Sequence, residues 1–214
     1  MDLAKYKKAW ENQPEDQHKI SAIEIYKMTQ TKSTSIAKWI FIIGLLEFTL
    51  WIILSSIFSH LDAVEVYEKL GLMKYINFAY YFNYVVVVLF LIIFYRNYSS
   101  VSTIEDTKTL MRRIIKVRKT VKFYVYYNII VTTLMLIIVN IILINTPGAI
   151  EEIFSSENIS MEPDKLLSVY ILSQTIAFVV VILFLLLFYY LLYGILLKKL
   201  KRNYKELTKL EEVN

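Results

Sequence analysis

Four long stretches of apolar residues alternate with polar segments along the 214-residue chain. A helix rises about 1.5 Å per residue, so each stretch is long enough to cross the apolar core of a bilayer, which is about 30 Å thick. The Val run at 85–88 is also typical of a strand, but the length of the apolar stretch around it favours a membrane helix. The fold class predicted is therefore all-α, a polytopic membrane protein with a four-transmembrane-helix bundle and cytoplasmic helical extensions. The predicted spans are about 39–59, 75–95, 123–145 and 169–193.

The polar segments next to the spans are predicted to be helical too. Ser21 and Glu24 have the spacing of a capping box, so a helix should start there and run into the first span. Ser102 and Glu105 have the same spacing and should start a helix that continues into the third span. Four apolar residues follow at helical spacing and predict a basic amphipathic helix. They are Leu110, Ile114, Val117 and Val121.

This pattern divides the chain into three parts. Residues 1–38 form cytoplasmic N-terminal helices, and residues 39–197 form the transmembrane domain, which includes the basic helix 102–122. Residues 198–214 form a cytoplasmic helical tail, whose Leu and Tyr stripe is typical of a partner-helix or coiled-coil contact. The two remaining loops should be short, and Pro147 and Pro163 are predicted to begin helices in the second of them.

Charge sets the predicted orientation. The segments 1–38, 96–122 and 198–214 together hold 21 Lys and Arg against 10 Asp and Glu, whereas loops 60–76 and 146–167 hold 3 against 8. The positive-inside rule then predicts a multi-pass protein of the bacterial inner (cytoplasmic) membrane with cytoplasmic N- and C-termini. An aromatic belt is expected at the inner interface. Its members are Trp39, Tyr95, Phe123, Tyr124, Tyr189, Tyr190 and Tyr193.

Composition excludes several kinds of chemistry. The chain has no Cys and two His, and the His residues are predicted on opposite sides of the membrane, so we expect no metal site and no cofactor. Hydrolase and nucleotide-binding motifs do not occur either, so we expect no enzyme. The net charge of +5 follows from the membrane orientation, and no nucleic-acid partner is expected.

Glu47 is the one charged residue predicted inside the membrane. A carboxylate at that depth needs a polar partner, and Asn83, Thr132 and Thr133 are predicted at a similar depth. A polar cluster of these four residues is therefore expected. One interpretation is a proton- or ligand-coupled site. The other, which is favoured, is a buried hydrogen bond that fixes helix packing or an oligomer contact.

Two surfaces outside the spans are candidates for binding. Arg112, Arg113, Lys116 and Lys119 on the basic helix would bind anionic lipid or an acidic partner, or would simply satisfy the positive-inside bias while the helix lies on the headgroups. Tyr6 and Trp10 on a short N-terminal helix would dock a soluble partner, or would fold back on the protein itself.

The opening MDLAKYKKAWENQPED, followed by EIYKMTQTKSTSIAKWIFIIGLLE, resembles a family of uncharacterised bacterial four-helix inner-membrane proteins. Similar proteins sometimes carry an automatic label as carotenoid oxygenases. Known carotenoid cleavage enzymes hold iron with four His on a β-propeller, so two His and a helical pattern contradict that label. The resemblance assigns a role to no residue.

Two functions remain in competition. The first is a non-enzymatic interaction or regulatory membrane protein, and the size of the cytoplasmic segments relative to the outer loops favours it. The alternative is a small transporter or channel subunit that uses Glu47. The expected partners are the lipid bilayer, a cytoplasmic protein and a second copy of this chain in a homo-oligomer.

Overall fold

A computed structural model describes residues 22–59, 62–102, 106–156 and 162–213. All regular elements in these ranges are helical, which confirms the all-α class. A π-helical turn, Tyr190–Gly194, joins the sixth helix directly to the seventh. The helices are α1 (Ala22–Phe58), α2 (Asp62–Lys69), α3 (Met73–Ser102), α4 (Thr107–Asn145), α5 (Ala149–Ser156), α6 (Pro163–Tyr189) and α7 (Ile195–Val213).

Four of the helical segments are long and apolar enough to cross a membrane: α1, α3, α4, and α6 together with α7. Large apolar side chains cover the outside of their middle parts, and residues such as Phe78, Val85 and Leu183 are more than half exposed. An apolar surface of this extent suits lipid contact better than water. The prediction of four candidate spans is confirmed at the level of length and composition.

The polar parts of these long helices pack together into one continuation of the bundle. We call this part the polar end; it comprises residues 22–38, 96–102, 107–122 and 195–213. The predicted stripe Leu110, Ile114, Val117 and Val121 is buried there, together with Val101, Leu200 and Leu207. The predicted continuation of the basic helix into the third span is also confirmed, since α4 runs from Thr107 to Asn145 as one helix of 39 residues.

The predicted C-terminal stripe contacts helices of its own chain. α7 lies against α1 and α4, and Leu200 and Leu207 of the stripe are buried in the internal core between these helices. An ion pair of 3.6 Å between Lys108 and Glu211 also links α4 to α7. Because the basic helix packs on α7 and continues straight into the apolar part of α4, it does not lie flat as a separate surface helix.

The start of α4 differs from the prediction. Asp106, and not Ser102, is the N-cap, and its carboxylate accepts a hydrogen bond of 2.9 Å from the backbone N–H of Thr109. Ser102 is the last residue of α3, and Glu105 lies outside the described residues. The Thr109 N–H lowers the pKa of the Asp106 carboxyl below its usual value. Asp106 can take the N-cap position instead of Ser102 because Asp is at least as favourable as Ser at that position.

Both predicted loops contain a short helix, and α2 and α5 pack on each other at the end of the bundle opposite the polar end. Lys69 Nζ and Glu152 Oε1 are 3.0 Å apart and join the two helices. Pro163 is at the first turn of α6, as predicted, but the prediction for Pro147 is wrong, since α5 begins at Ala149. Gly148 turns the chain there with a positive φ of 79°, which suits glycine.

Candidate functional site

Glu47 lies in the interior of the bundle, with 3% of its surface exposed. The phenol of Tyr189 donates to Oε1 over 3.0 Å, and the phenol of Tyr193 donates to Oε2 over 2.7 Å. Each carboxylate oxygen therefore has one tyrosine hydroxyl as its donor. Hydrogen bonds to a carboxylate are among the stronger ones in proteins, and an apolar environment strengthens them further.

The two tyrosines reach Glu47 because they stand four residues apart, on one face of the last turns of α6 and the π turn. Their rings lie 6.2 Å apart and 25° from parallel. Tyr124 of α4 packs edge-on against both, at 6.4 Å from Tyr189 and 5.9 Å from Tyr193. A π turn takes an extra residue into the helix and often marks a functional site. We call Glu47, Tyr124, Tyr189 and Tyr193 the carboxylate–tyrosine cluster.

The predicted partners of Glu47 lie elsewhere. Asn83 Oδ1 accepts a hydrogen bond of 3.3 Å from Tyr127, and Thr133 Oγ1 donates to the Ile129 carbonyl of its own helix over 2.7 Å. Thr132 is half-buried on the same helix. The hydrogen bonds of Glu47 thus go to tyrosines and not to Asn83, Thr132 and Thr133. Depth along a span does not say which helix faces which, so the predicted cluster could not be specified from depth alone.

The prediction of an aromatic belt at the inner interface is wrong for three of its seven members. Tyr124, Tyr189 and Tyr193 are at most 4% exposed and belong to the core, whereas Trp39 and Tyr190 are more than half exposed. The i,i+4 spacing of Tyr189 and Tyr193, with Tyr190 on another face, is the sequence signal that separates the two groups. The prediction of the belt rested on depth alone and did not use this spacing, so it placed all four of these tyrosines at the interface.

A second buried polar contact lies in the polar end and was not predicted. Asn203 Nδ2 of α7 donates to Ser33 Oγ of α1 over 3.0 Å, and neither residue is more than 1% exposed. A buried asparagine between helices commonly fixes their register. Asn203 lies between the buried Leu200 and Leu207 on one face of α7, and this is the sequence signal for the contact.

A basic groove lies between α3 and α4, with a cavity of about 510 Å³. Two of the four predicted basic residues, Arg113 and Lys116, line it, while Arg112 and Lys119 are exposed elsewhere on α4. The lining residues from α3 were not predicted, although their spacing of i, i+3, i+4 and i+7 defines one helix face. The lining residues are Ile93, Arg96, Asn97, Ser100, Arg113 and Lys116.

The remaining predicted site residues, Tyr6 and Trp10, lie outside the described residues. In the part of the chain that is described, no three His, Asp or Glu side chains gather as metal ligands. Within the described residues, the carboxylate–tyrosine cluster is therefore a candidate for proton chemistry, and the basic groove is a candidate for binding. The first is enclosed and fully hydrogen-bonded, whereas the second is open and positively charged.

By length and composition, the four long helices place the chain in the class of multi-pass helical membrane proteins. Residues 23–212 match a family model described as Domain of unknown function (DUF8845), and the chain belongs to this family. That assignment agrees with the resemblance to an uncharacterised family. No curated protein and no solved structure matches the chain.

Proposed function

We propose that the chain is a non-enzymatic interaction or regulatory protein of a bacterial cytoplasmic membrane, with the polar end in the cytoplasm. The excess of Lys and Arg in the segments of the polar end supports this orientation through the positive-inside rule. The proposed partner is a cytoplasmic protein with an acidic surface, because the basic charge of this end favours such a partner electrostatically.

The observation that carries the proposal is the packing of the polar end. Its apolar stripes are buried in an internal core, where Leu110, Ile114, Leu200 and Leu207 are at most 1% exposed. The outside of this part carries many exposed charged side chains, on helices that continue into the spans without a break. A protein bound to this surface would therefore be connected rigidly to the membrane part, as regulation across that boundary requires.

Orientation can be tested first, because the chain has no cysteine. Lys209 in the polar end and Glu151 at the outer end are both exposed, and each is replaced separately by Cys. A membrane-impermeant maleimide applied to intact spheroplasts should label Glu151→Cys, and should label Lys209→Cys only after lysis. Labelling of Lys209→Cys in intact spheroplasts would reverse the proposed orientation.

The partner is tested by photocrosslinking in native membranes. A photoreactive amino acid at Lys201 or Lys205, both exposed on α7, should give a discrete crosslinked product with another protein. The same amino acid at Glu151 serves as the matched control, and truncation of residues 1–20 tests the predicted docking by Tyr6 and Trp10. Recovery of a homo-oligomer alone from both ends would contradict the interaction function.

The alternative function, a transporter or channel subunit, has one observation in its favour. Glu47 is enclosed by the bundle beside a π turn and does not face the apolar exterior. In proteoliposomes, a transport role for Glu47 requires that Glu47→Gln reduce proton or ion flux relative to the unmodified protein. Equal flux from both would remove Glu47 from any transport mechanism. No flux above that of empty liposomes would remove the transport function itself.

A further inference from the structure

We propose that the basic groove binds the phosphate group of an anionic glycerophospholipid. The groove brings Arg96 of α3 together with Arg113 and Lys116 of α4 around one cavity. Guanidinium groups bind phosphate oxygens in a two-pronged arrangement, and an ammonium adds a compact positive charge. This inference concerns a lipid site and holds whichever protein binds the polar end.

Among the described residues, the basic side chains of the groove have no acidic partner. Within residues 22–59, 62–102, 106–156 and 162–213, no carboxylate forms an ion pair with Arg96, Arg113 or Lys116. Arg113 and Lys116 stand three residues apart on one helix, where like charges repel each other. Gathering three positive charges around one cavity is unfavourable unless an anion enters it.

The polar floor of the groove is held in place by its own hydrogen bonds. Asn97 Nδ2 donates to Thr120 Oγ1 over 3.4 Å, and this contact joins α3 to α4 beneath the cavity. Ser100 Oγ donates to the Asn97 carbonyl over 3.0 Å. These bonds use the Ser100 hydroxyl and one N–H of Asn97, so the donors offered to an incoming anion are chiefly those of the Arg and Lys side chains.

The shape of the groove favours a lipid over a soluble phosphate. Ile93 lines the end nearest the apolar part of α3 and is 39% exposed, and Leu89, one turn further along, is 53% exposed. An apolar strip therefore leads from the basic cavity onto the surface that the bilayer would cover. A molecule with a phosphate at one end and acyl chains at the other matches both parts.

The test uses the full-length protein in nanodiscs of phosphatidylglycerol or phosphatidylcholine, with retained lipid measured by mass spectrometry of the intact protein. The unmodified protein should retain phosphatidylglycerol selectively. In R96Q/R113Q this affinity should fall about thirty-fold, from the loss of two charges near the headgroup. The matched control, R112Q/K119Q, removes two charges from α4 outside the groove and should retain the lipid.

Equal losses in R96Q/R113Q and R112Q/K119Q would overturn the proposal, because they would indicate general attraction to a basic surface. Retention in both pairs would overturn it as well. If R96Q/R113Q does not fold, the single change K116Q at an exposed position gives the same comparison, with a loss expected. Displacement of the bound lipid by inorganic phosphate or glycerol phosphate would indicate a phosphate site for a soluble ligand, and this would overturn the assignment to a lipid.

Discussion

Replacing Glu47 by alanine should destabilise the bundle measurably, because the two phenols that donate to it would lose their acceptor. The hydrogen bonds of 3.0 and 2.7 Å join α1 to the end of α6 and to the π turn. Interhelical hydrogen bonds in membrane proteins contribute about 0.6 kcal/mol on average and up to about 1.7. Two of them together predict a loss of about 1–3 kcal/mol in the free energy of unfolding.

A double-mutant cycle isolates the contact from the loss of side-chain volume. Glu47→Leu keeps a similar volume but removes both acceptor oxygens, and Tyr193→Phe keeps the ring but removes the donor. If the 2.7 Å hydrogen bond stabilises the fold, the two changes together should cost less than the sum of their separate costs. We expect a coupling free energy of about 1 kcal/mol.

The assay is unfolding of the purified protein in mixed micelles with increasing dodecyl sulfate, followed by far-ultraviolet circular dichroism. Tyr190→Phe is the control, because Tyr190 lies in the same turn but is 63% exposed. It should leave the midpoint unchanged. A coupling free energy near zero between Glu47 and Tyr193, or an equal effect of Tyr190→Phe, would refute the assignment of this contact as a stabilising link between helices.

Three further perturbations test other parts of the bundle. Asn203→Leu should lower the free energy of unfolding by about 1–3 kcal/mol, since it leaves the buried Ser33 hydroxyl without its donor, and adding Ser33→Ala should recover part of that loss; no recovery would contradict a direct link. Gly44→Val should cost about 1–3 kcal/mol in the same assay, because even a Cβ there lies 3.1 Å from the Leu91 side chain; an unchanged midpoint would contradict the close contact of α1 and α3. The pKa of Asp106 is lowered in the folded protein, so its stabilising effect is present above the unfolded pKa of about 3.9 and is lost as the pH falls through the folded value. Hydrogen exchange at the start of α4, corrected for intrinsic rates, should show this loss in the natural chain but not in Asp106→Asn, which keeps a capping oxygen without titrating.

The parts of the fold that follow from one helix at a time could be predicted from the sequence. The four apolar stretches and the 39-residue length of α4 needed only hydropathy and the absence of breakers. The stripe from Leu110 to Val121 was predicted correctly because a period of 3.6 residues identifies a buried face whatever it packs against.

The contacts between helices could not be predicted in the same way. Glu47 was recognised as needing a buried partner, and it is buried, but its donors come from Tyr189 and Tyr193, 142 and 146 residues away. Hydropathy indicates which segments cross the membrane and therefore roughly how deep a residue lies, but it does not indicate which helices pack against each other. Asn203 and Ser33 were missed for the same reason, since each looks like an ordinary polar residue in its own segment.

The basic groove was predicted only in part, because the sequence pointed to its residues from α4 but not to those from α3. Arg113 and Lys116 stood out within the most basic segment of the chain. Arg96 belongs to the same segment but did not stand out, because it directly follows the apolar stretch and precedes the predicted basic helix 102–122. Only the packing of α3 on α4 brings it to the same cavity, and that packing also separates Arg113 and Lys116 from Arg112 and Lys119.

The two buried polar contacts have a geometric relation that bears on how the bundle moves. α1 contributes Ser33 and Glu47, and the continuous helix of α6 and α7 contributes Asn203 and Tyr189 in the reverse order. Ser33 and Glu47 are fourteen residues apart, and Asn203 lies fourteen residues from Tyr189 and ten from Tyr193, the two donors to Glu47, as expected for an antiparallel pair. A slide of one helical turn, about 5.4 Å, would break both contacts at once. The two buried polar pairs should therefore hold this register, and we expect α1 and the α6–α7 helix to move as a single unit.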